Sequence, residues 1–309
     1  DGNQLNSTRT PNAALSPSGN NDATKLISND ITKTPSTAYI GVSTSATAPY
    51  TTSVFAKKGE YDYLVSGIGT YAGGYYAVFN LSNGTVSTPP TAANTTASIE
   101  DYGNGWYRCL ITTTNVSGTE ILFISPSVDG TLTTNYTNTT NGIYVWGGQL
   151  EEGSYATSYI PTSGSTVTRN QDIFTRDGIG SLINSTEGVL FLEVAALSDD
   201  ISQQIGLYGN SSTKQLRLEI SNTTIRAQLF DGAYQANMSS TQTVTNFNKI
   251  AFKWKVNDFA LWINGVEVDT DNSGTTFSAN DLDRLHFSAQ NGSSSAAQAK
   301  VRQLQVYNT

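Results

Sequence analysis

Hydrophobic residues along this chain alternate with polar residues in short runs, and they do not recur at helical spacing. In the segment NKIAFKWKV, Ile250, Phe252 and Trp254 occupy alternate positions, and polar or small residues fill the positions between them. Alternation with a period of two is typical of a strand with one buried and one solvated face. Turn-forming pairs such as Asn264-Gly265 separate the runs. The pattern therefore predicts an all-β protein of antiparallel strands.

The predicted strands fall into two successive blocks. The first contains TTSVFAKKG, EYDYLVSGI, YYAVFNLS, GWYRCLITTT, EILFISPSV and GIYVWGGQL; the second contains GVLFLEVAAL, QIGLYGN, KQLRLEISN, TIRAQLFDG, NKIAFKWKV, DFALWINGVEV, DRLHFSA and KVRQLQVYNT. Two such blocks predict two tandem antiparallel β-sandwich (jelly-roll) domains. We expect them to span residues 1–172 and 185–309, with a linker at 173–184 where the periodicity is weak.

Composition and charge narrow the classes of partner. The 309 residues carry a net charge of -8, which argues against a nucleic-acid groove lined with clustered Lys and Arg. No apolar run approaches the length that spans a bilayer, so we expect no membrane insertion.

The single cysteine, Cys109, excludes an internal disulfide. It shares a strand face with Tyr107 and Ile111, which indicates a small core residue rather than a nucleophile. The chain begins DGNQLNSTRT, which is typical of a processed product or a fragment of a longer protein.

The middle of the chain carries a specific motif, GGQLEEGSYATSYIPTSGSTVTRNQD. Just before it, Ile143 and Val145 alternate with Tyr144 and Trp146, which predicts a last strand, and Gly147 and Gly148 permit a bulge or a close backbone approach. We expect Glu151 and Glu152, on opposite faces, to be a turn-stabilising and a solvated residue rather than a catalytic pair. The motif resembles the closing signature of carbohydrate-binding-module-like β-sandwiches of bacteriophage tail and fibre proteins, departing from it at Gly148, where Ala is usual. The upstream pieces FAKKGEYDYL, DYGNGWYRC and ISPSVDGT extend this resemblance over most of residues 15–172.

The second block resembles another family. The segments GSLINSTEGVLFLEV, FNKIAFKWKVNDFALWINGVEV and VRQLQVYN are similar to the laminin-G or concanavalin A-like jelly roll, over about residues 185–309. That fold serves lectins, adhesins and glycosidases alike. Together the two resemblances imply a non-enzymatic module on the surface of a phage virion, in a tail or head fibre. They also imply binding to host surface glycans, contact with other virion proteins, and trimeric assembly.

Exposed aromatic and amide side chains are the candidates for sugar binding. A Tyr ring can stack on the apolar face of a pyranose while its hydroxyl forms hydrogen bonds. Two segments supply such residues: YAGGYY, with Tyr71, Tyr75 and Tyr76, and FDGAYQAN, with Asp231, Tyr234 and Asn237, which we expect in a loop. Because Tyr75 and Tyr76 precede Ala77-Val78-Phe79, one of the two rings is expected to face inward.

The segment EVDTDN places Glu267, Asp269 and Asp271 at alternate positions, where a regular strand would put all three on one face. It resembles the catalytic strand of concanavalin-like glucanases, but Asp271 stands where Glu is expected, and the DNSG turn follows at once. The same stretch matches the start of a calcium loop through Asp269, Asp271 and Ser273, although Asn280 stands where the bidentate Glu belongs. The favoured interpretation is an acidic hairpin turn with local hydrogen bonds.

His286 is the only histidine, so a zinc site is not expected, and a catalytic role for a lone strand histidine is not favoured. Three functions remain open: a glycan-binding virion module, a structural virion decoration or spacer that binds no sugar, and a glycan-degrading enzyme.

Overall fold

The computed structural model describes residues 3–29, 37–44, 48–69, 73–114, 116, 118–132, 136, 138–162, 165–169, 172–199, 202–289 and 296–308. The fold is all-β, as predicted, and the helical element defined in these ranges is a short 3-10 turn at Gly180–Leu182. Within the same ranges no helix has the length and apolar character needed to cross a membrane. The chain divides into two compact units, Asp1–Val167 and Thr168–Thr309.

The first unit is a sandwich of two six-stranded antiparallel sheets. Sheet A has the order β1-β4-β11-β6-β7-β8: Asn3–Leu5, Thr37–Thr44, Gly118–Ser127, Tyr63–Ile68, Tyr76–Asn80 and Thr85–Thr88. Sheet B has the order β2-β3-β12-β5-β10-β9: Ser7–Ala14, Ala23–Ser28, Gly142–Glu152, Tyr50–Lys58, Trp106–Thr113 and Thr95–Asp101. The chain moves from sheet A to sheet B at Asn6, whose φ of 52° allows the abrupt change of direction.

Alternate residues of each strand build the interior of this sandwich. On β10, Cys109 and Ile111 are buried in the same cluster as Val54, Ala56 and Leu64. The prediction that Cys109 is a core residue is confirmed, and burial raises the pKa of its thiol well above the ordinary value.

The segment after β12 folds back and docks on the outer face of sheet B. The Trp146 and Tyr159 rings lie 4.5 Å apart, and Gln149 accepts a 2.9 Å hydrogen bond from the backbone N–H of Ile160. Glu151 accepts hydrogen bonds from the backbone N–H and hydroxyl of Thr157. Gly147 is a bulge residue with a φ of 59°, and a Cβ there would lie 3.1 Å from the Phe55 ring. The docked segment, residues 153–162, is called the exit arm below.

The second unit is a sandwich of a six-stranded and a five-stranded antiparallel sheet. Sheet C has the order β13-β22-β15-β16-β17-β18: Thr175–Asp177, Arg284–His286, Gln203–Tyr208, Lys214–Ser221, Thr224–Asp231 and Tyr234–Thr241. Sheet D has the order β21-β20-β19-β14-β23: Val266–Asp271, Phe259–Ile263, Asn248–Trp254, Gly188–Ala196 and Ala299–Tyr307.

One large apolar cluster fills the second sandwich. Ile250, Phe252 and Trp254 of β19 are fully buried in it, which confirms the alternation predicted for NKIAFKWKV. The segment predicted as a linker, residues 173–184, contributes β13 and the 3-10 turn to this unit. Its periodicity is weak because its regular elements are short: β13 has only three residues, all of them exposed.

Candidate functional site

The outer face of sheet C carries a row of residues in direct register across its strands, with polar side chains on every strand but β15, which contributes Gly206. His286 on β22 pairs with Gly206 on β15, Gly206 with Arg217 on β16, Arg217 with Gln228 on β17, and Gln228 with Asn237 on β18. Leu216 and Leu218, which flank Arg217 on β16, point into the core. Strand alternation therefore places the row on the outer face.

Hydrogen bonds join this row into one network. Arg217 donates from Nε to Oε1 of Gln228 at 2.8 Å, from Nη1 to Oε1 of Gln215 at 2.5 Å, and from Nη2 to the Tyr234 hydroxyl at 3.2 Å. Gln228 donates in turn from Nε2 to Oδ1 of Asn237 at 3.1 Å. We call these five residues, Gln215, Arg217, Gln228, Tyr234 and Asn237, the Arg217 network.

The network is layered from buried to exposed. Gln228 is only 4% exposed and both ends of its amide are hydrogen-bonded, so it serves as the fixed base. Arg217 lies half-buried above it, whereas Asn237 is exposed and Tyr234 is 53% exposed. The Asn237 oxygen accepts from Gln228, which leaves its NH₂ group directed away from that bond. The surface thus offers amide and guanidinium donors beside an open aromatic ring.

A one-residue bulge brings Tyr234 to this face. Leu229 pairs with Ala236 and Phe230 pairs with Tyr234, so Gln235 is the extra residue of β18. If β18 kept all its residues and alternated regularly, with no bulge, Tyr234 would share the inward face with Ala236 and Met238, which are buried. The Tyr234 ring instead packs edge-on against Phe230, with 5.2 Å between the ring centroids.

A second polar row borders the network. Glu219 on β16 pairs in register with Arg226 on β17, and their side chains form a 3.4 Å ion pair. A small cavity of about 100 Å³ lies beside this pair, lined by Glu219, Ser221, Asn222, Thr224 and Arg226. This row extends the polar surface towards the β16–β17 turn.

Buried aromatic side chains lie at the end of the row formed by β15 and β22. Tyr208 is fully buried and donates to the backbone oxygen of Ser288 at 3.0 Å. Burial raises the pKa of Tyr208, and the Arg217 charge acts in the opposite direction, so this hydroxyl is neutral at physiological pH. The His286 ring lies 5.5 Å from Tyr208, and its Nε2 is 3.1 Å from a carboxylate oxygen of Asp177. His286 is thus a buried residue held by contacts with Tyr208 and Asp177.

Tyr234 and Asn237, both predicted from the sequence, are therefore brought together, but in a strand rather than in the expected loop. The loop expectation was wrong because β18 has only two inward apolar residues, Ala236 and Met238, among small polar ones. Asp231 lies apart from them: it shares the inward face of β17 and forms a 2.7 Å ion pair with Lys214. Lys214 also binds Asp281 at 2.9 Å, and these two hydrogen bonds raise its pKa.

The predicted tyrosines of the first unit are not assembled in this way. Tyr71 lies outside the described residues. Tyr75 is half-buried against a cluster that contains Tyr50, Ile68 and Val116. Tyr76 is half-buried on the outer face of sheet A, against Val65, Val78 and Phe123. Both rings therefore have protein partners, and sugar binding by either stays a prediction.

The carboxylates of EVDTDN do not share one face. Glu267 pairs with Trp262 and Asp269 with Leu261, so Val268 is an extra residue that separates the two carboxylates to opposite faces. The expectation that all three line up was wrong for this reason, which a regular period of two does not anticipate.

The candidate calcium ligands are held by local hydrogen bonds. Asp269 accepts from the backbone N–H of Ser239 on β18 at 3.0 Å and so joins the edges of sheets C and D. Asp271 accepts from the N–H and hydroxyl of Ser273, both at 2.9 Å. In the part of the chain that the structure describes, no group of three or more His, Cys, Asp or Glu side chains is placed to hold a metal ion. The geometry fits an acidic turn better than a calcium loop, and calcium binding stays a prediction.

Three members of the network, Gln215, Arg217 and Gln228, were not among the sequence candidates. Their signal was weak: in KQLRLEIS and TIRAQLFD, Arg217 and Gln228 occupy polar positions between inward apolar residues, and Gln215 precedes the first of these. Only the pairing of β16 with β17 shows that the Arg217 and Gln228 side chains meet.

Comparison with known proteins yields structural neighbours only. No protein-family model and no curated protein matches the sequence. Among solved structures, the chain is similar to the CBM40 of a Ruminococcus gnavus IT-sialidase bound to α2,3-sialyllactose, with 15% identity, a TM-score of 0.36, and coverage of 43% of this chain and 91% of that one. Sheep galectin-11 matches with 7% identity, a TM-score of 0.31, and coverage of 45% and 99%. A Caenorhabditis elegans galectin matches with 10% identity, a TM-score of 0.31, and coverage of 45% and 93%. These neighbours are a carbohydrate-binding module and galectins, all similar to less than half of this chain.

Proposed function

We propose that this protein is a glycan-binding module and that the outer face of sheet C is its binding surface. The observation that carries the proposal is the Arg217 network, in which buried Gln228 holds Arg217 and Asn237, and Arg217 in turn holds Tyr234, on a rigid sheet. Sugars bind through a few well-placed hydrogen-bonding groups beside an aromatic ring. Because strands rather than loops carry these groups, little conformational entropy is lost when a ligand binds.

The proposal is tested with the full chain on a broad glycan array, presented multivalently so that weak sites are detected. Selective binding by the wild-type chain, lost in Tyr234→Ala and Asn237→Ala, is the expected result. Tyr307→Ala is the control, because Tyr307 is similarly exposed, at 50%, but lies on β23 of sheet D. Absence of binding to every glycan would overturn the proposal and favour the structural module.

The place of this module is proposed to be the surface of a phage virion, in a tail or head fibre. The support is the resemblance of residues 15–172, and above all of the GGQLEEG and TSYIPT runs, to phage fibre domains. Trimeric assembly and contact with other virion proteins are proposed on the same basis. Mass spectrometry of purified particles tests the location, and analytical ultracentrifugation of the isolated chain tests the trimer. Absence from the particles, or a monomer at all concentrations, would contradict the respective statement.

Catalysis is not part of the proposal. Retaining glycosidases hold two carboxyl groups at about 5 to 5.5 Å across a cleft. In β21 the extra residue Val268 directs Glu267 and Asp269 to opposite faces, and Asp269 is hydrogen-bonded to Ser239. An assay of polysaccharide cleavage by the wild type and Asp269→Asn checks this point, and cleavage by the wild type that the substitution abolishes would restore the enzymatic alternative.

A further inference from the structure

We propose that the ligand of the sheet C surface is an acidic glycan, whose carboxylate pairs with Arg217. This inference rests on the proposed function and specifies its ligand class. It follows from the charges around Arg217 and from the hydrogen-bonding groups that the surrounding side chains leave open.

Arg217 is a cation held by neutral groups. Its three hydrogen-bond acceptors are the amide oxygens of Gln215 and Gln228 and the hydroxyl of Tyr234. Within the described residues, none of its ion-pair or hydrogen-bond partners is a carboxylate. A guanidinium carries five N–H donors, so two remain for a ligand.

The neighbouring cations of sheet C differ in this respect. Lys214, on the same strand, binds the carboxylates of Asp231 and Asp281. Arg226, on the adjacent strand, binds Glu219. Arg217 lies between them, on a protein whose net charge is -8. Among the three described cations of β16 and β17, Arg217 alone has no acidic partner.

The acid on the same face of β16 does not pair with Arg217. Glu219 lies two residues further along β16, and its side chain is only 16% exposed. Its Oε1 is bound by Arg226, which stands directly across from it. A half-buried charge without an opposite charge beside it costs free energy. An incoming carboxylate removes that cost because it forms a charge-assisted, bidentate pair with the guanidinium.

The groups that surround Arg217 favour the same ligand. Asn237 accepts from Gln228 through its oxygen, so its NH₂ donors are available to the ligand. The Tyr234 hydroxyl accepts from Arg217, so its own proton is available as well. A ring of donors around a guanidinium selects a ligand rich in acceptors, and the exposed Tyr234 ring adds a stacking surface for the sugar itself.

The test uses matched pairs of probes. Oligosaccharides that contain galacturonate, glucuronate or sialate are compared with their own methyl esters, which keep the stereochemistry and remove the charge. We expect the wild-type chain to bind at least one acid about tenfold or more tightly than its ester, because hydrogen bonds to charged groups are the stronger ones. We also expect this preference to weaken as salt is added.

Substitutions at Arg217 complete the test. Arg217→Gln should abolish the preference for the acid, whereas Arg217→Lys should keep part of it, since it retains the charge and loses the planar fork. Arg302→Gln is the control, because Arg302 is an exposed arginine of sheet D that already pairs with Glu193. If Arg217→Gln does not fold, the comparison of acid and ester on the wild type still decides.

The two proposals fail in distinguishable ways. Equal binding of acid and ester, or binding of neutral glycans alone, would overturn the acidic ligand and leave the glycan-binding function standing. Retention of the preference in Arg217→Gln would also overturn it. No binding to any member of any pair would overturn both.

Discussion

Nε of Arg217 lies 2.8 Å from Oε1 of Gln228, its direct cross-strand neighbour, and Gln228 reaches on to Asn237 on the next strand. Three neighbouring strands of one sheet thus share a single hydrogen-bond chain. The exposed groups are thus oriented by Gln228, which is itself buried beneath them.

This relationship makes Gln228 a positioning residue. Gln228→Ala should weaken glycan binding about tenfold, because it frees Arg217 and Asn237 to adopt other rotamers and leaves two polar groups without their partner. The loss is measured as Kd by calorimetry, with Gln303→Ala, an exposed glutamine of β23, as the control. Unchanged affinity in Gln228→Ala would show that the network does not orient the ligand.

Asp231 is expected to matter for stability rather than for binding. Asp231→Asn removes one of the two carboxylates that hold Lys214, and should lower the free energy of unfolding by about 0.5 to 1 kcal/mol without changing glycan affinity. Denaturant unfolding and the glycan array measure the two effects. If Asp231→Asn lost glycan affinity and kept its free energy of unfolding, Asp231 would be a binding residue instead.

Lys214 gives this cluster a defined pH dependence. Hydrogen bonds to Asp231 and Asp281 raise the pKa of Lys214 in the folded protein. The stabilisation that protonated Lys214 provides is therefore fully present below the pKa of about 10.4 that a lysine has in the unfolded chain. It is lost as the pH rises through the pKa of Lys214 in the folded protein. We expect the wild type to be more stable than Lys214→Met at pH 8, and the difference to shrink above pH ~10.5. A difference that stays constant across this range would contradict the ion pairs.

Asp269 is expected to join the sheet edges without calcium. Asp269→Asn weakens the hydrogen bond from the Ser239 N–H and should lower the free energy of unfolding by about 1 kcal/mol. The loss should be equal in calcium and in chelator. A wild-type melting temperature that rises on addition of calcium, and no longer does so in Asp269→Asn, would establish the calcium loop instead.

The exit arm provides a prediction for the first unit. Tyr159→Ala removes the ring that packs on Trp146 and Phe55, and should destabilise this unit by about 1 to 2 kcal/mol. We expect faster proteolysis within residues 153–162, because release of the arm exposes its backbone. Tyr102→Ala, which also removes a ring packed on Phe55 but lies outside the arm, is the control. Equal cleavage of the arm in both variants and the wild type would argue against docking by Tyr159.

The strands that could be predicted from the sequence are those with large apolar residues at alternate positions. β19, with Ile250, Phe252 and Trp254, and β10, with Cys109 and Ile111, were identified in this way. β18 was not predicted because Ala236 and Met238 are its only inward apolar residues, and β2 was not predicted because its sequence STRTPNAA is mostly polar. Periodicity detects a strand only when its buried side chains differ clearly from its exposed ones.

The site could be predicted only in part, for a different reason. Tyr234 and Asn237 were found by residue type, because exposed tyrosines and amides suit sugars. Arg217 and Gln228 depend on how β16, β17 and β18 align, which is a relationship between neighbouring strands that the pattern within each strand does not give. The extra residues Gln235 and Val268 each reverse the face of the positions beyond them, and nothing in the composition reveals them.

The extra residue at Gln235 implies that this part of the hairpin tolerates a change in length. Deletion of this one codon would place Tyr234 directly before Ala236 in a regular strand, and because Ala236 faces the core, Tyr234 would stay on the outer face. A lineage that carries this sandwich can therefore lose the bulge through a single in-frame deletion and keep its aromatic contact. Relatives that share the architecture but lack the residue at position 235 should keep the same ligand recognition.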